Sequence, residues 1–480
     1  MTDLWVRGGT VVTARRTFPG DVLVRDGRIA AVVERTSGGA PFSPSGDVRV
    51  LDASGLYVLP GLVDVHVHFR EPGLTHKEDF STGTAAAACG GVTTVLEMPN
   101  TDPPVSRPAI LDAKAARLAG RAYVDYGLYA VIDESNYAEL PGLAAAGAIA
   151  FKLFLGPTTG DIRAPGWGRL MEVFETVARL GLPLVVHAED RDVIEYWQAR
   201  VAQEAAGGDA QDVPGQASAG PAGAAGVDYR RFLATRPRFG EVAATQTVCL
   251  LAGFSGARVH IAHVSIAQSV DIIREAKDRG APVTAETCPP YLLMTAEDCE
   301  RLGPVAKILP PIRDAADRDR LWQGLAENTL DIIATDHAPH LSEEKEGKPW
   351  LTAPGGMIGV ETLLPALLTE ASRGRLSLNQ LVRWTSTRPA EIFGLAPRKG
   401  DIRPGADGDL VLVDPGARWT VRAEDLHSKS KASPLLGTEL VGRVVHTVLR
   451  GQVVVEDGRL VSGPLGERLL PSDPGGQGKE

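Results

Sequence analysis

Leu59-Pro60-Gly61-Leu62-Val63-Asp64-Val65-His66-Val67-His68-Phe69-Arg70 is the stretch on which the reading of this chain turns. A β-branched apolar run ends in two histidines spaced i, i+2, and an arginine follows two residues later. Side chains at i and i+2 of a strand leave from one face. His66, His68 and Arg70 therefore project together if the strand extends that far. Paired imidazoles at a strand end suit a metal ion. An isolated His-x-His sits equally well on the wet face of an edge strand, so the rest of the chain has to decide.

Outward from this stretch, short apolar runs alternate with helix-like segments. The runs are Val58 to Val67, Val92 to Glu97, Tyr123 to Ile132, Ala148 to Leu155, Leu182 to Val186, Val259 to Val264, Pro282 to Ala285 and Asp331 to Ala334, eight in all. Segments rich in Ala, Leu, Glu and Arg, such as Leu170 to Leu180 and Ser269 to Arg279, lie between most of them. This alternation predicts parallel βαβ units. Eight of them predict an α/β fold of the (β/α)8 TIM-barrel kind, with its active site at the C-terminal strand ends. The barrel is expected over residues 59–396. Residues 1–58 and 397–465 read instead as short strands, with hairpin turns at Asp26-Gly27 and Asp457-Gly458. They predict one small β-sandwich-like domain built from both termini. Ala205 to Gly226, nearly all Ala, Gly, Gln, Asp and Pro, is expected to be a flexible insertion, and residues 466–480 a disordered tail.

Bulk properties narrow the function classes. A net charge of −10 over 480 residues argues against a nucleic-acid surface, which needs clustered Lys and Arg. Cys89, Cys249, Cys288 and Cys299 are scattered, without a Cys-x-x-Cys pair, so neither a zinc knuckle nor a disulfide framework is implied and a cytoplasmic setting is expected. No apolar run approaches the roughly 18 residues that span a bilayer, and no basic start leads into an apolar core.

The barrel expectation makes the strand ends a test. His66 and His68 end the first run, His187 ends the fifth, His263 lies near the end of the sixth and Asp336 follows the eighth. The chain has ten histidines, and chance rarely places four of them at three strand ends. Read one at a time, each would pass for a satisfied core histidine; as a set they predict a metal site. Lys152 lies inside the fourth apolar run, where an ammonium is costly unless paired or neutralised. Snorkelling or pairing with a carboxylate is one escape. Loss of the proton and reaction with carbon dioxide is the other, giving an anionic carbamate able to bridge two metals.

The ordered set His66-x-His68, Lys152, His187, His263 and Asp336 resembles the cyclic amidohydrolases, which include dihydroorotases, hydantoinases and allantoinases. The resemblance covers nearly the whole chain, and Gly405-Ala406-Asp407-Gly408-Asp409-Leu410-Val411 looks like that family's closing strand. It implies two zinc ions bridged by a carbamylated Lys152. His66, His68 and Asp336 would hold one zinc, and His187 and His263 the other. Asp336 would act as general base and then acid. It further implies a small-molecule substrate, no nucleic acid or membrane partner, and a homo-oligomer, either dimer or tetramer.

Substrate choice rests on residues beyond the metal ligands. Arg70, Asn100 and His340 match the dihydroorotase pattern, in which they hold a substrate carboxylate. Arg70-Glu71-Pro72-Gly73 and Pro354-Gly355-Gly356-Met357 also look like dihydroorotases. Two positions depart from the family. Leu309 stands before Pro310-Pro311 where relatives have a polar residue, and Pro290 replaces a His or Gln. Either Leu309 contacts the ring through its backbone alone, or the pocket takes a different cyclic ureide, as in an allantoinase or hydantoinase. An inactive scaffold would lack metal ligands, and here all six positions are filled.

Overall fold

The computed structural model describes residues 3–36, 42–205 and 224–471. Its strands are β1 (Asp3–Val12), β2 (Thr17–Arg25), β3 (Arg28–Glu34), β4 (Val48–Asp52), β5 (Tyr57–Pro60), β6 (Leu62–Val67), β7 (Val92–Glu97), β8 (Asp125–Ile132), β9 (Ala150–Phe154), β10 (Leu184–His187), β11 (Val259–Ile261), β12 (Val283–Thr287), β13 (Ile332–Ile333), β14 (Leu410–Thr420), β15 (Glu439–Leu449), β16 (Gln452–Glu456) and β17 (Arg459–Leu460). Strands β6 to β13 pair in chain order into an eight-stranded sheet, parallel throughout. The ring closes beyond the strand ends, where His68 N donates to His337 O at 2.7 Å and Val67 bridges His337 in parallel. This is the expected (β/α)8 barrel. Every residue of β6, β7, β8, β9 and β10 is buried, as a sheet covered on both faces requires.

The remaining strands form one nine-stranded sheet in the order β17-β16-β15-β14-β5-β1-β2-β3, with β4 on β1. Both ends of the chain build it, and it closes on its own apolar cluster, which includes Val11, Val22, Val58, Leu410 and Val448.

The run Val58 to Val67, read from sequence as one strand, is two strands in two different sheets. The switch takes one peptide: Gly61 N donates to Asp409 O in the small domain at 2.9 Å, and Leu62 N to Gly91 O in the barrel at 3.1 Å. A Cβ on Gly61 would lie 2.1 Å from Thr93 Oγ1, so only glycine fits the crossing. At the N-terminus, where short strands are expected, β1 runs unbroken from Asp3 to Val12, and its pairing with β2 shifts register between Val6 and Gly9.

Two loop expectations also change. Ala205 ends the helix Arg191–Ala205, and residues 224–226 open the helix Ala224–Thr235. Residues 206–223 of the expected insertion lie outside the described residues, as do 472–480 of the expected tail. Residues 466–471 are not a loose tail. Gly466 N donates to Ala122 O at 2.8 Å, Tyr126 N to Glu467 O at 2.9 Å and Leu469 N to Tyr126 O at 2.7 Å, pinning this segment beside β8. Proline, glycine and serine content could not reveal these backbone bonds. No helix among the described residues is long and apolar enough to cross a membrane.

Candidate active site

The strand ends deliver the predicted ligands to one place. His66 and His68 leave the same face of β6 and its extension. Their Nε2 atoms approach Asp336 Oδ1 at 3.4 and 3.2 Å, beyond the end of β13. One donor atom from each of these three residues lies within 4.8 Å of the others. Across the cavity, His187 Nδ1 and His263 Nε2 are 3.0 Å apart. Lys152, on β9, lines the same cavity, and its buried Nζ has no hydrogen-bond partner among the described residues.

Three of the four candidate imidazoles are aimed by what holds the other side of the ring, while His263 Nδ1 is buried without a hydrogen-bond partner among the described residues. Glu286 Oε1 accepts from His66 Nδ1. Asn100 Oδ1 accepts from His68 Nδ1 at 2.7 Å. Glu189 Oε2 accepts from His187 Nε2 at 2.9 Å and is paired with Arg236. Fixing the proton on the outward nitrogen leaves the inward lone pair free for a metal. Arg70, His263 and Asp336 all have left-handed backbones, with φ of 64°, 38° and 48°. Such conformations cost about 1–3 kcal/mol each for non-glycine residues and gather where geometry serves function.

The electrostatics agree with a cation site. Burial pushes the His68 imidazolium down to about 3, and drives His263 and His187 below the usual histidine range, so these rings are neutral. Burial alone would raise the Asp336 carboxyl, but His66 beside it holds it well below the ordinary value. Burial pushes the Lys152 ammonium down to about 8, which leaves a usable fraction of free amine near neutrality. Neutral imidazoles and an ionised carboxylate are donors a zinc-type ion takes.

The expected substrate residues divide. Arg70 and Leu309 line the cavity, and so does Asn100. Both ends of the Asn100 amide are engaged, however, since its Nδ2 donates to Thr159 O at 3.3 Å. His340 stands behind Arg70, accepting from Arg70 Nη2 at 3.3 Å. A wider bowl of about 490 Å³, bordered by Phe232, Leu351 and Pro354, shares Thr158, Thr159, Leu309 and Gly355 with the cavity and forms its approach.

Sequence reasoning missed Glu286, Glu189 and Arg236. Glu286 carried a legible signal, because it directly follows the seventh apolar run, Pro282 to Ala285, at a strand end where a barrel places its functional groups. Glu189, two residues past His187, was legible by the same-face rule applied to β6. Arg236 was not, since only the fold brings it to Glu189.

A barrel with this ring of candidate metal ligands suits a hydrolase, and the chain belongs to the amidohydrolase family, whose model matches residues 57–454. Within it, the chain is a cyclic amidohydrolase. It is 40% identical to an allantoinase of Rubrobacter xylanophilus over 99% of both chains. It is 38% identical to a dihydroorotase of Citrifermentans bemidjiense over 95% of this chain and 100% of that one. The solved L-hydantoinase of Arthrobacter aurescens superposes with a TM-score of 0.89 at 34% identity, covering 98% of this chain and 100% of that one.

Proposed function

We propose that this cyclic amidohydrolase is a zinc-dependent dihydroorotase, interconverting N-carbamoyl-L-aspartate and L-dihydroorotate. The observation that carries the reading is Arg70. Its guanidinium is buried, lines the cavity, and has no carboxylate within ion-pair distance among the described residues. It bonds only neutral groups, Pro339 O at 3.3 Å and the His340 ring. Burial lowers it to about 10, so it remains charged near neutrality. A buried cation facing a cavity calls for an anion, and a planar fork suits a carboxylate. Dihydroorotate carries one beside its ring; allantoin and dihydrouracil carry none.

His66, His68 and Asp336 would hold one zinc ion and His187 and His263 a second, with Lys152 between them as a carbamate. Lys152 Nζ forms that carbamate by adding to carbon dioxide and releasing a proton to solvent. Bound zinc supplies a Lewis acid for the ring carbonyl and lowers the pKa of the attacking water. Asp336, held ionised, takes the water proton on a carboxylate oxygen and returns it to the leaving ring nitrogen. Arg70 orients the substrate carboxylate and His340 holds Arg70 from behind, while Asn100 holds His68. Leu309 packs an apolar wall against the ring. The same reading carries a cytoplasmic homo-oligomer, which light scattering of the purified protein checks for assembly.

Two observations favour allantoinase as the second reading: Asn100 already bonds His68 and Thr159, and Leu309 gives the cavity an apolar side chain where dihydroorotase relatives have a polar one. A turnover panel of dihydroorotate, allantoin, hydantoin and dihydrouracil decides. Preference for dihydroorotate supports the first reading, and efficient allantoin hydrolysis with no dihydroorotate turnover overturns it.

A further inference from the structure

Away from the barrel mouth, a second group of soft and hard donors meets where the helix Phe80–Cys89 ends against the segment that precedes β15. Cys89 Sγ lies 3.5 Å from His427 Nε2. The other ring nitrogen, Nδ1, donates to Glu361 Oε1 at 2.8 Å, and Glu361 Oε2 accepts from His427 N at 2.8 Å. Donor atoms from Cys89, Glu361 and His427 all lie within 4.8 Å of one another.

A carboxylate gripping the far nitrogen of a histidine is the arrangement that aims a metal-binding ring and raises its basicity. Zinc–sulfur bonds of about 2.3 Å and zinc–nitrogen bonds of about 2.0–2.1 Å, at a tetrahedral angle, place the two ligand atoms about 3.5 Å apart. The observed separation matches the spacing that a thiophilic ion bound to both atoms requires. Access is open on one side, because the His427 side chain is 31% exposed while Cys89 is buried. Among the described residues, the other cluster of possible ligands outside the active site is already filled. Asp125, Asp407 and Asp409 surround Lys399 Nζ at 2.5, 2.9 and 2.6 Å, which already fills the position a cation would take.

We propose that Cys89 and His427, with Glu361 holding the imidazole, form a separate site for one thiophilic divalent cation of the zinc and cadmium class. Binding forms a Cys89 Sγ–metal and a His427 Nε2–metal bond and breaks the thiol S–H bond, whose proton passes to solvent; water completes the coordination. Burial raises the Cys89 thiol above its usual range, so the metal rather than the protein environment drives that deprotonation. The site joins a helix to a segment 338 residues away. That segment also meets the active-site surroundings, through Ser428 on Glu78 and Ser430 Oγ donating to His340 O at 2.6 Å.

The test uses the zinc-loaded full chain and cadmium ions alone as probe. Wild type should take up one cadmium per chain beyond its active-site metals, with an ultraviolet thiolate-to-cadmium absorption. Cys89→Ala and Cys89→Ser should lose the absorption and that equivalent of metal. Glu361→Gln should keep the absorption and weaken binding by about 10–100-fold. No thiolate absorption in wild type would overturn the proposal, leaving Cys89 and His427 as a plain hydrogen bond. Uptake that survives in the Cys89 variants, or that is indifferent to His427→Ala, would overturn it as well.

Discussion

Glu286→Gln isolates what a buried carboxylate does for a metal ligand it does not replace. Glu286 is fully buried and meets His66 Nδ1 on one oxygen and His260 Nε2 at 3.2 Å on the other. Burial alone would push its carboxyl up, yet His66 and His260 hold it well below the ordinary value. Glutamine has the same shape. Its carbonyl still accepts from His66, and its amide can donate to His260 if that ring carries its proton on Nδ1, toward Thr284 Oγ1 at 2.8 Å. The geometry is kept and the negative charge is lost. The expected effect is that of removing a carboxylate behind a ligating histidine, about 10–100-fold in metal affinity. That corresponds to about 1.4–2.8 kcal/mol. Folding stability should change less, because the desolvation cost of a buried carboxylate disappears with its charge. Competition against a graded series of zinc buffers, with bound metal read by atomic emission and a parallel thermal melt, measures both quantities. Unchanged zinc affinity in a normally folded Glu286→Gln protein would refute the role assigned to Glu286.

Arg70→Ala should lower kcat/KM for dihydroorotate mainly through KM, by about 10- to 150-fold for a charge-assisted hydrogen bond of about 1.5–3 kcal/mol, with zinc content unchanged. Steady-state kinetics would speak against the carboxylate role if dihydrouracil, which has no carboxylate, suffered equally. Burial pushes Lys345 from an ordinary 10.5 down to about 7. Between these values the unfolded chain holds more protons than the folded one, so this residue makes stability rise with pH across that window. Lys345→Met should flatten the rise of Tm with pH above neutrality, and an identical slope in the two proteins would count against it. Gly61→Ala forces a methyl group to within 2.1 Å of Thr93 Oγ1. Overpacking of this kind costs about 1–3 kcal/mol, so chemical denaturation should find a lower midpoint; an unaltered midpoint would mean that Thr93 yields freely.

The barrel was legible because buried parallel strands must be apolar throughout, and ligands in such a fold must sit at strand ends. Both constraints write themselves into the order of residues, so His66, His68, His187, His263 and Asp336 stood out together. What stayed hidden depends on the third dimension. Gly61 looks like an ordinary residue in an apolar run, and only its two neighbouring donors reveal a change of sheet. Asn100 reads from the sequence as a substrate donor, and its bonds to His68 and Thr159 become visible only in the fold. Residues 466–471 have the composition of a tail, and their backbone bonds to the segment around β8 are invisible to composition. Glu189 and Arg236 are separated by a stretch of poor sequence character, yet they share one ion pair behind His187.

The crossing at Gly61 has a consequence for how this protein can be taken apart. Strand β5 lies in the middle of the terminal sheet, between β1 and β14, and one residue later the chain is already a barrel stave. Only five positions separate that residue from His66. The β-domain is therefore not an exchangeable cassette. Any graft that replaced it would have to cut within a hydrogen-bonded seam, and the resulting misfit would be delivered almost directly to a candidate metal ligand. Recombination between relatives should succeed only where β5 and β6 are inherited as one piece.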